Sequence, residues 1–292
     1  MVIVVFCNAI ERVADVLKVG QGDSGLTFLT VYRMNNPMVS FCEALSLEKM
    51  HAWTQTILDA VLPRHCILCG MSSGASNVCP PCSGELPRIE HGCARCGLPV
   101  ASPGDSPCEH CRRQALPWDS AIAALVYEFP VDQLVQRFKF SRSLASGEFL
   151  AQAMTAAVLR YCDFAPDAII PVPLHRSRHF SRAFNQSELL ARYAGKVLDV
   201  PVRSTALRRK RRTRAHSGLD AISRKINIKG AFACTLSAKK HKYLNHVALV
   251  DDVLTTGATL SECARVLKRS GIRRVSVWVA ARAPAPSAQA AE

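Results

Sequence analysis

Between Cys66 and Cys111 the chain carries four Cys-x-x-Cys pairs: Cys66/Cys69, Cys79/Cys82, Cys93/Cys96 and Cys108/Cys111. The surrounding stretch is rich in Pro, Gly and Ser and poor in long apolar runs. It cannot build a hydrophobic core of its own, so something else must hold it. A C-x-x-C pair sets two thiolates on one ion while amides of the turn hydrogen-bond the sulfurs, and two pairs complete a tetrahedral zinc site. The pattern CxxCG…CxxC occurs twice, offset by 27 to 29 residues, which marks an internal duplication. The duplication joins Cys66/Cys69 to Cys79/Cys82 and Cys93/Cys96 to Cys108/Cys111. An interleaved arrangement, first pair with third, satisfies the same spacing. Two structural zinc ions are expected, because four sulfurs per ion leave no open position for a substrate. His65, His91 and His110 are surplus to two complete sites. Cys7, Cys42, Cys162, Cys234 and Cys263 have no such pairing and read as small buried apolar residues.

Paired thiolates suit a reducing compartment, and a cytoplasmic location is expected. No apolar run reaches the roughly 18 residues of a membrane span. The opening MVIVVFCNAI lacks a positive leader and a small-residue cleavage site, so a secretion signal is not expected. Residues 1–55 show no sustained period and read as an extension of doubtful structure, with Met38 and Met50 as alternative starts. Residues 56–116 form the cysteine-rich module. From 117 to 284 the pattern changes. SAIAALVYEF reads as a strand or hairpin arm, and VDQLVQRFKF as an amphipathic helix beginning after Pro130. GEFLAQAMTAAVLRYC reads as a helix with Phe149, Leu150, Met154, Val158 and Leu159 on its apolar face. DAIIPVPL reads as a buried strand, NQSELLARYAGKVL as a helix and HVALVDD as a strand. TLSECARVLKRSG is a helix with a glycine stop, and RVSVWVAA a final strand. Strands alternating with helices predict an α/β domain whose mostly parallel open sheet is flanked by helices. Residues 285–292 are low-complexity and expected to be disordered.

At HVALVDDVLTTGATL an apolar strand runs into two adjacent carboxylates, Asp251 and Asp252, and then into the turn Thr255-Thr256-Gly257-Ala258-Thr259 ahead of a helix. In an open α/β sheet, loops at the carboxyl ends of strands gather into the ligand crevice. Free amides, the helix dipole and several hydroxyls favour a phosphate in the turn, and a glycine lets the backbone approach it. The acids must face neutral hydroxyls or a cation, since like charges repel. A ribose 5-phosphate meets both demands. The competing account is an ordinary strand-to-helix turn with solvated acids.

Thirty-seven Lys and Arg against 23 Asp and Glu give a net charge of +14. Between Pro171 and Gly230 there are 15 Lys and Arg against three Asp and Glu, or +12, so most of the charge lies in one stretch. It includes Arg176, Arg178 and Arg182 just past a strand, and Arg208, Arg209, Lys210, Arg211, Arg212 and Arg214 in LRRKRRTR. Such concentration implies a polyanion, either a pyrophosphate or a nucleic-acid backbone, with salt-sensitive binding in both cases. Aromatics for base stacking are sparse there: Phe180, Phe184, Tyr193 and Phe232. The plainer alternative is a merely soluble basic loop.

The DDVLTTGAT stretch resembles the PRPP-binding signature of type I phosphoribosyltransferases. That resemblance implies ribose contacts for Asp251 and Asp252, a phosphate cradle from Thr255 through Thr259, and Mg²⁺ on the ribose and pyrophosphate. With the cysteine module, PVPLHRSRHFSRAFNQ and RRTRAHSGLDAISRKINIKGAF, it is similar to the ComF family (competence protein F) over about residues 60 to 282. His216 departs from the Gln that relatives often carry. The resemblance implies a zinc ribbon joined to a phosphoribosyltransferase-type domain and a role in uptake and processing of transforming single-stranded DNA. A PRPP-like ligand, single-stranded DNA and a DNA-uptake helicase are the partners it implies. An active PRPP-dependent transferase with an unknown acceptor is the alternative. Thr255 stands where transferases acting on 6-oxopurines carry an aspartate base, which argues against purine salvage.

Overall fold

The computed structural model describes residues 64–74, 76–102, 107–174, 184–211, 227–236 and 244–285. They belong to one compact unit that begins at Arg64. The expectations for residues 1–55 and for the tail from 286, together with Cys7 and Cys42, lie outside the described residues.

The cysteine-rich module opens with an antiparallel ribbon, β1 (Arg64–His65) against β2 (Ser72–Gly74). Each half ends in a single helical turn, α1 (Pro80–Gly84) and α2 (Glu109–Arg113). Both turns start directly after a cysteine, Cys79 or Cys108, whose backbone is extended. The second C-x-x-C of each half therefore straddles a helix start. Gly70 and Gly97 follow the first C-x-x-C of each half with φ of 76° and 68°. The tight return that brings two sulfurs to one point needs a left-handed residue there, which glycine supplies without steric cost.

The α/β part follows in the order β3 (Ser120–Val126), α3 (Val131–Phe140), α4 (Leu144–Tyr161), β4 (Ala168–Pro171) and α5 (Gln186–Leu198). An antiparallel hairpin comes next, β5 (Leu207–Arg209) with β6 (Phe232–Cys234). The chain then forms β7 (His246–Leu254), α6 (Ala258–Arg269) and β8 (Arg274–Arg282). Strands β3, β8, β7 and β4 lie side by side in that order, and every pairing is parallel. One buried cluster packs α3, α4 and α5 on one face of the sheet, and a second packs α6 and the hairpin on the other. Val247–Val250 are fully buried. Cover on both faces is why this strand reads as a continuous apolar run rather than an alternation.

Three details differ from the sequence expectation. Helix α4 starts at Leu144, ahead of the expected Gly147, because the Ser143 hydroxyl caps it by accepting from the Ser146 amide at 3.2 Å. Leu159 is 63% exposed: the buried stripe runs Leu150, Met154, Val158 at i+4 spacing, and Leu159 falls about 100° round the helix from its end. Strand β7 also continues through both aspartates to Leu254 rather than ending at them.

The cysteine module lies along the outer edge of β3. Ala121 N donates to Ala94 O (2.9 Å), Ile89 N to Ala124 O (2.9 Å) and Val126 N to Pro87 O (2.8 Å). A sheet edge that would otherwise offer unpaired backbone groups is covered. The module gains the buried surface that its own composition cannot provide.

Candidate functional site

Strand β4 pairs with β7 only as far as Pro171 opposite Val250, so beyond that point β7 runs on without a strand neighbour on this side among the described residues. From β4 the chain moves outward through α5 to a parallel bridge between Ile169 and Val202. From β7 it moves the opposite way, through α6 to β8. The direction of winding reverses between β4 and β7, which is where an open α/β sheet leaves a crevice at the carboxyl ends of its strands.

Asp251 and Asp252 stand at that crevice. Their carboxylates meet different helices of the layer formed by α3, α4 and α5. Asp251 Oδ1 accepts from Ser187 Oγ of α5 at 2.8 Å and from the Asp252 amide at 3.0 Å. Asp252 Oδ1 lies 3.0 Å from Lys139 Nζ, at the end of α3. Burial, and then the charge of Asp252 beside it, push the Asp251 carboxyl up to about 7, although Ser187 and Lys139 pull the other way. In the turn that opens α5, Asn185 Nδ2 donates to Val172 O at 3.1 Å. Asn185 Oδ1 and both amide atoms of Gln186 are buried with no hydrogen-bond partner among the described residues. Buried polar atoms without partners are rare, and these three sit in the turn that also holds Asp251.

The turn after β7 is open. Thr255 and Thr256 are exposed, and Thr259 is half-buried. Gly257 is the N-cap of α6 with φ 72°, and no side chain caps the helix. Among the described residues no side-chain hydrogen bond to the first amides of α6 is seen, and the positive end of the helix lies beside the threonine hydroxyls. A Cβ at Gly257 would lie 2.8 Å from Trp118 Cη2, so this residue meets both a conformational and a packing demand.

Of the basic residues, Arg176, Arg178, Arg182, Arg212 and Arg214 lie outside the described residues. Arg208, Lys210 and Arg211 are exposed on or beside β5, and Arg211 Nη2 donates to the carbonyls of Asn227 and Lys229 at 3.1 Å each. Arg209 instead packs over the Phe232 ring at 5.3 Å, between the two strands of the hairpin. The hairpin is tied to α6 by buried Glu262, whose Oε1 accepts from Gly230 N at 2.9 Å. Lys139, Ser187 and Gln186 were not singled out from the sequence. They come from helices distant in the chain, and the packing of α3 and α5 on one face of the sheet brings Lys139 and Ser187 to the acids.

The eight cysteines gather as two groups of four: Cys66, Cys69, Cys79 and Cys82; then Cys93, Cys96, Cys108 and Cys111. The pairing is sequential rather than interleaved. Sulfur separations of 3.7 Å for Cys69–Cys79, 3.5 Å for Cys96–Cys108 and 3.9 Å for Cys93–Cys111 match the edge of a tetrahedron with zinc–sulfur bonds of about 2.3 Å, roughly 3.8 Å. The Leu68 amide points at Cys66 Sγ and the Cys108 amide at Cys93 Sγ, each at 3.4 Å. Burial works against the charge on Cys66 and on Cys93, yet backbone donors outweigh it and hold both thiols down at about 6. The donor sets fit structural zinc. Cys263 is buried as expected, whereas Cys162 and Cys234 are half-exposed.

A cavity of about 390 Å³ lies at the opposite, amino edge of the sheet, lined among others by Ser120, His246, Ser276 and Trp278. It includes none of the residues of the crevice. Among the described residues no helix is long and apolar enough to cross a membrane.

The double zinc ribbon domain family matches residues 57–112. Competence protein F of Haemophilus influenzae is 33% identical over 224 residues, covering 75% of this chain and 96% of that protein. DNA utilization protein YhgH of Escherichia coli K12 is 34% identical over 223 residues, covering 74% and 96%. Competence protein ComFC of Streptococcus pneumoniae is 24% identical over 229 residues, covering 73% and 97%. Among solved structures, a purine phosphoribosyltransferase from Pyrococcus horikoshii Ot3 aligns with 20% identity and a TM-score of 0.27, covering 45% of this chain and 68% of that one. Two four-cysteine clusters on the edge of a parallel α/β sheet, together with these near-full-length relatives, make the chain a member of the competence protein F family.

Proposed function

We propose that the crevice binds a 5-phosphoribosyl ligand of the PRPP type together with Mg²⁺, and that the protein uses this site in handling transforming single-stranded DNA in the cytoplasm. The observation that carries the ligand is the pairing of Asp251 and Asp252 with an uncapped, exposed threonine turn at the reversal of the sheet. Amides and hydroxyls of Thr255–Thr259 suit the 5-phosphate, and the two carboxylates suit the ribose diol. Mg²⁺, bound with the ligand, would supply charge neutralisation for the pyrophosphate beside the same acids. Lys139 holds Asp252 at 3.0 Å, so a diol or a cation competes with it for one oxygen. The role in DNA handling is supported by the names of the relatives and by the exposed Arg208, Lys210 and Arg211.

Titration calorimetry with PRPP and Mg²⁺, with and without single-stranded DNA, tests the reading. A saturable heat that weakens about 10- to 100-fold in Asp251→Asn/Asp252→Asn is expected, the cost of losing charged hydrogen-bond acceptors. Equal heats for the variant and the parent overturn it. A second reading, an active transferase, draws on Asp251 alone: a carboxyl near 7 is suited to moving a proton at neutral pH. Pyrophosphate release across a panel of nucleobases and amines decides that point.

A further inference from the structure

Three consecutive carbonyls of the Cys93-x-x-Cys96 turn accept hydrogen bonds from the α/β part. Ala94 O takes the Ala121 amide (2.9 Å), Arg95 O takes Trp118 Nε1 (2.8 Å) and Cys96 O takes Arg282 Nε (3.0 Å). Two of these donors reach the phosphate turn with their other end. Arg282 Nη1 donates to Leu254 O at 2.9 Å and to Thr255 O at 2.8 Å, the residue ahead of the turn and the first residue in it. Trp118 packs beneath Gly257, so closely that a single added methyl would meet its ring at 2.8 Å.

Arg282 is 5% exposed and donates to the backbone carbonyls of Cys96, Leu254, Thr255 and Ala283. A buried guanidinium needs a countercharge. Four thiolates around one Zn²⁺ carry two net negative charges, and they lie on the side of Arg282 where it holds Cys96 O. A side chain fixed at one end by the cysteine turn and at the other by the phosphate turn transmits order between them, because neither end can shift without losing buried hydrogen bonds. The first cluster has no such bridge among the described residues. Its contacts there run to α3 and α4, through Arg137 Nη1 on Ile67 O and Asn77 Nδ2 on Glu148 Oε2.

We infer that Arg282 and Trp118 are positioning residues through which the metal-loaded second cysteine cluster holds the Thr255–Thr259 turn in its phosphate-binding form, so that loss of that one metal lowers affinity for the sugar phosphate. The ligand half of this statement rests on the proposed PRPP site, whereas the mechanical half does not.

The test uses the full chain with Cys108→Ser/Cys111→Ser and, in parallel, Cys79→Ser/Cys82→Ser, each with zinc counted by atomic emission. Amide hydrogen exchange of residues 254–260 is read by mass spectrometry, and PRPP affinity by calorimetry with Mg²⁺. The second-cluster variant should exchange this segment about tenfold faster and bind PRPP about tenfold more weakly. The first-cluster variant should keep parental exchange at 254–260. Parental exchange at 254–260 after loss of the second metal overturns the inference, and so does equal acceleration in both variants. Absence of PRPP binding in the parent protein overturns the ligand assignment, while the exchange arm still decides the coupling. If the cysteine variants fail to fold, Arg282→Lys keeps the cation and both metals. Lysine cannot span Cys96 O and the Leu254 and Thr255 carbonyls together. Faster exchange there at a count of two zinc ions supports the inference, and parental exchange refutes it.

Discussion

The carboxyl of Asp251 behaves far from an ordinary aspartate. Its carboxyl rises from an ordinary 3.8 to about 7, through burial first and the neighbouring Asp252 second. A raised carboxyl means that the folded protein holds a proton which the unfolded chain has released. The stabilisation is complete below about pH 4 and is lost as pH rises through 7. Asp251→Asn removes this loss, so its thermal midpoint relative to the parent should be several degrees higher at about pH 8 than at about pH 5. Circular dichroism melts at the two pH values measure it, and an equal offset at both contradicts the assignment. The groups that set the shift were only partly legible in the sequence. The adjacent acid could be read directly. Ser187 and Lys139 could not, because a hydrogen bond across 64 residues and an ion pair between a helix and a distant strand depend on which elements become neighbours.

At the scale of elements, two glycines separate packing from binding. Gly257 combines a φ of 72° with the Trp118 contact, so Gly257→Ala strains the turn and displaces the indole. It should cost about 1–3 kcal/mol of stability and weaken PRPP binding by about tenfold or more. Gly147 lies in α4 against α3, where a Cβ would fall 2.3 Å from Phe138 Cε2. Gly147→Ala should cost a similar amount, about 1–3 kcal/mol, by overpacking with PRPP affinity retained. Urea denaturation and calorimetry on the two variants check the contrast. The glycine of the threonine turn stood out in the sequence because its neighbours were hydroxyls. Nothing in ASGEFLA marked Gly147, since its demand comes from the ring of another helix. The helices themselves were legible from period and caps. Leu159 was misplaced because an apolar residue one step off the stripe looks the same in one dimension as one on it.

At the scale of the whole molecule, charge is the organising quantity. The +12 concentrated between Pro171 and Gly230 leaves Arg208, Lys210 and Arg211 on the surface beside a hairpin anchored to α6, whereas Arg209 is committed to the Phe232 ring. Replacing Arg208, Lys210 and Arg211 by Ala should flatten the salt dependence of single-stranded DNA binding, by about 0.7 in log–log slope for each phosphate that is no longer neutralised. Arg209→Ala should act mainly on stability. Fluorescence anisotropy across a salt series separates the two outcomes, and an unchanged slope in the triple variant removes these residues from the DNA surface. The sequence alone determined the two metal sites, the parallel α/β class and the acid–threonine motif. Each of these follows from spacing and periodicity within a few turns of chain, where local geometry leaves little choice. Tertiary structure decided the rest: that the cysteine groups are sequential, that the module covers the edge of β3, that Lys139 and Ser187 meet the acids, and that Arg282 joins a cysteine cluster to the threonine turn. The last three of these exist only because four strands lie in the order β3, β8, β7, β4, and strand order is fixed by burial of the whole sheet rather than by any one segment.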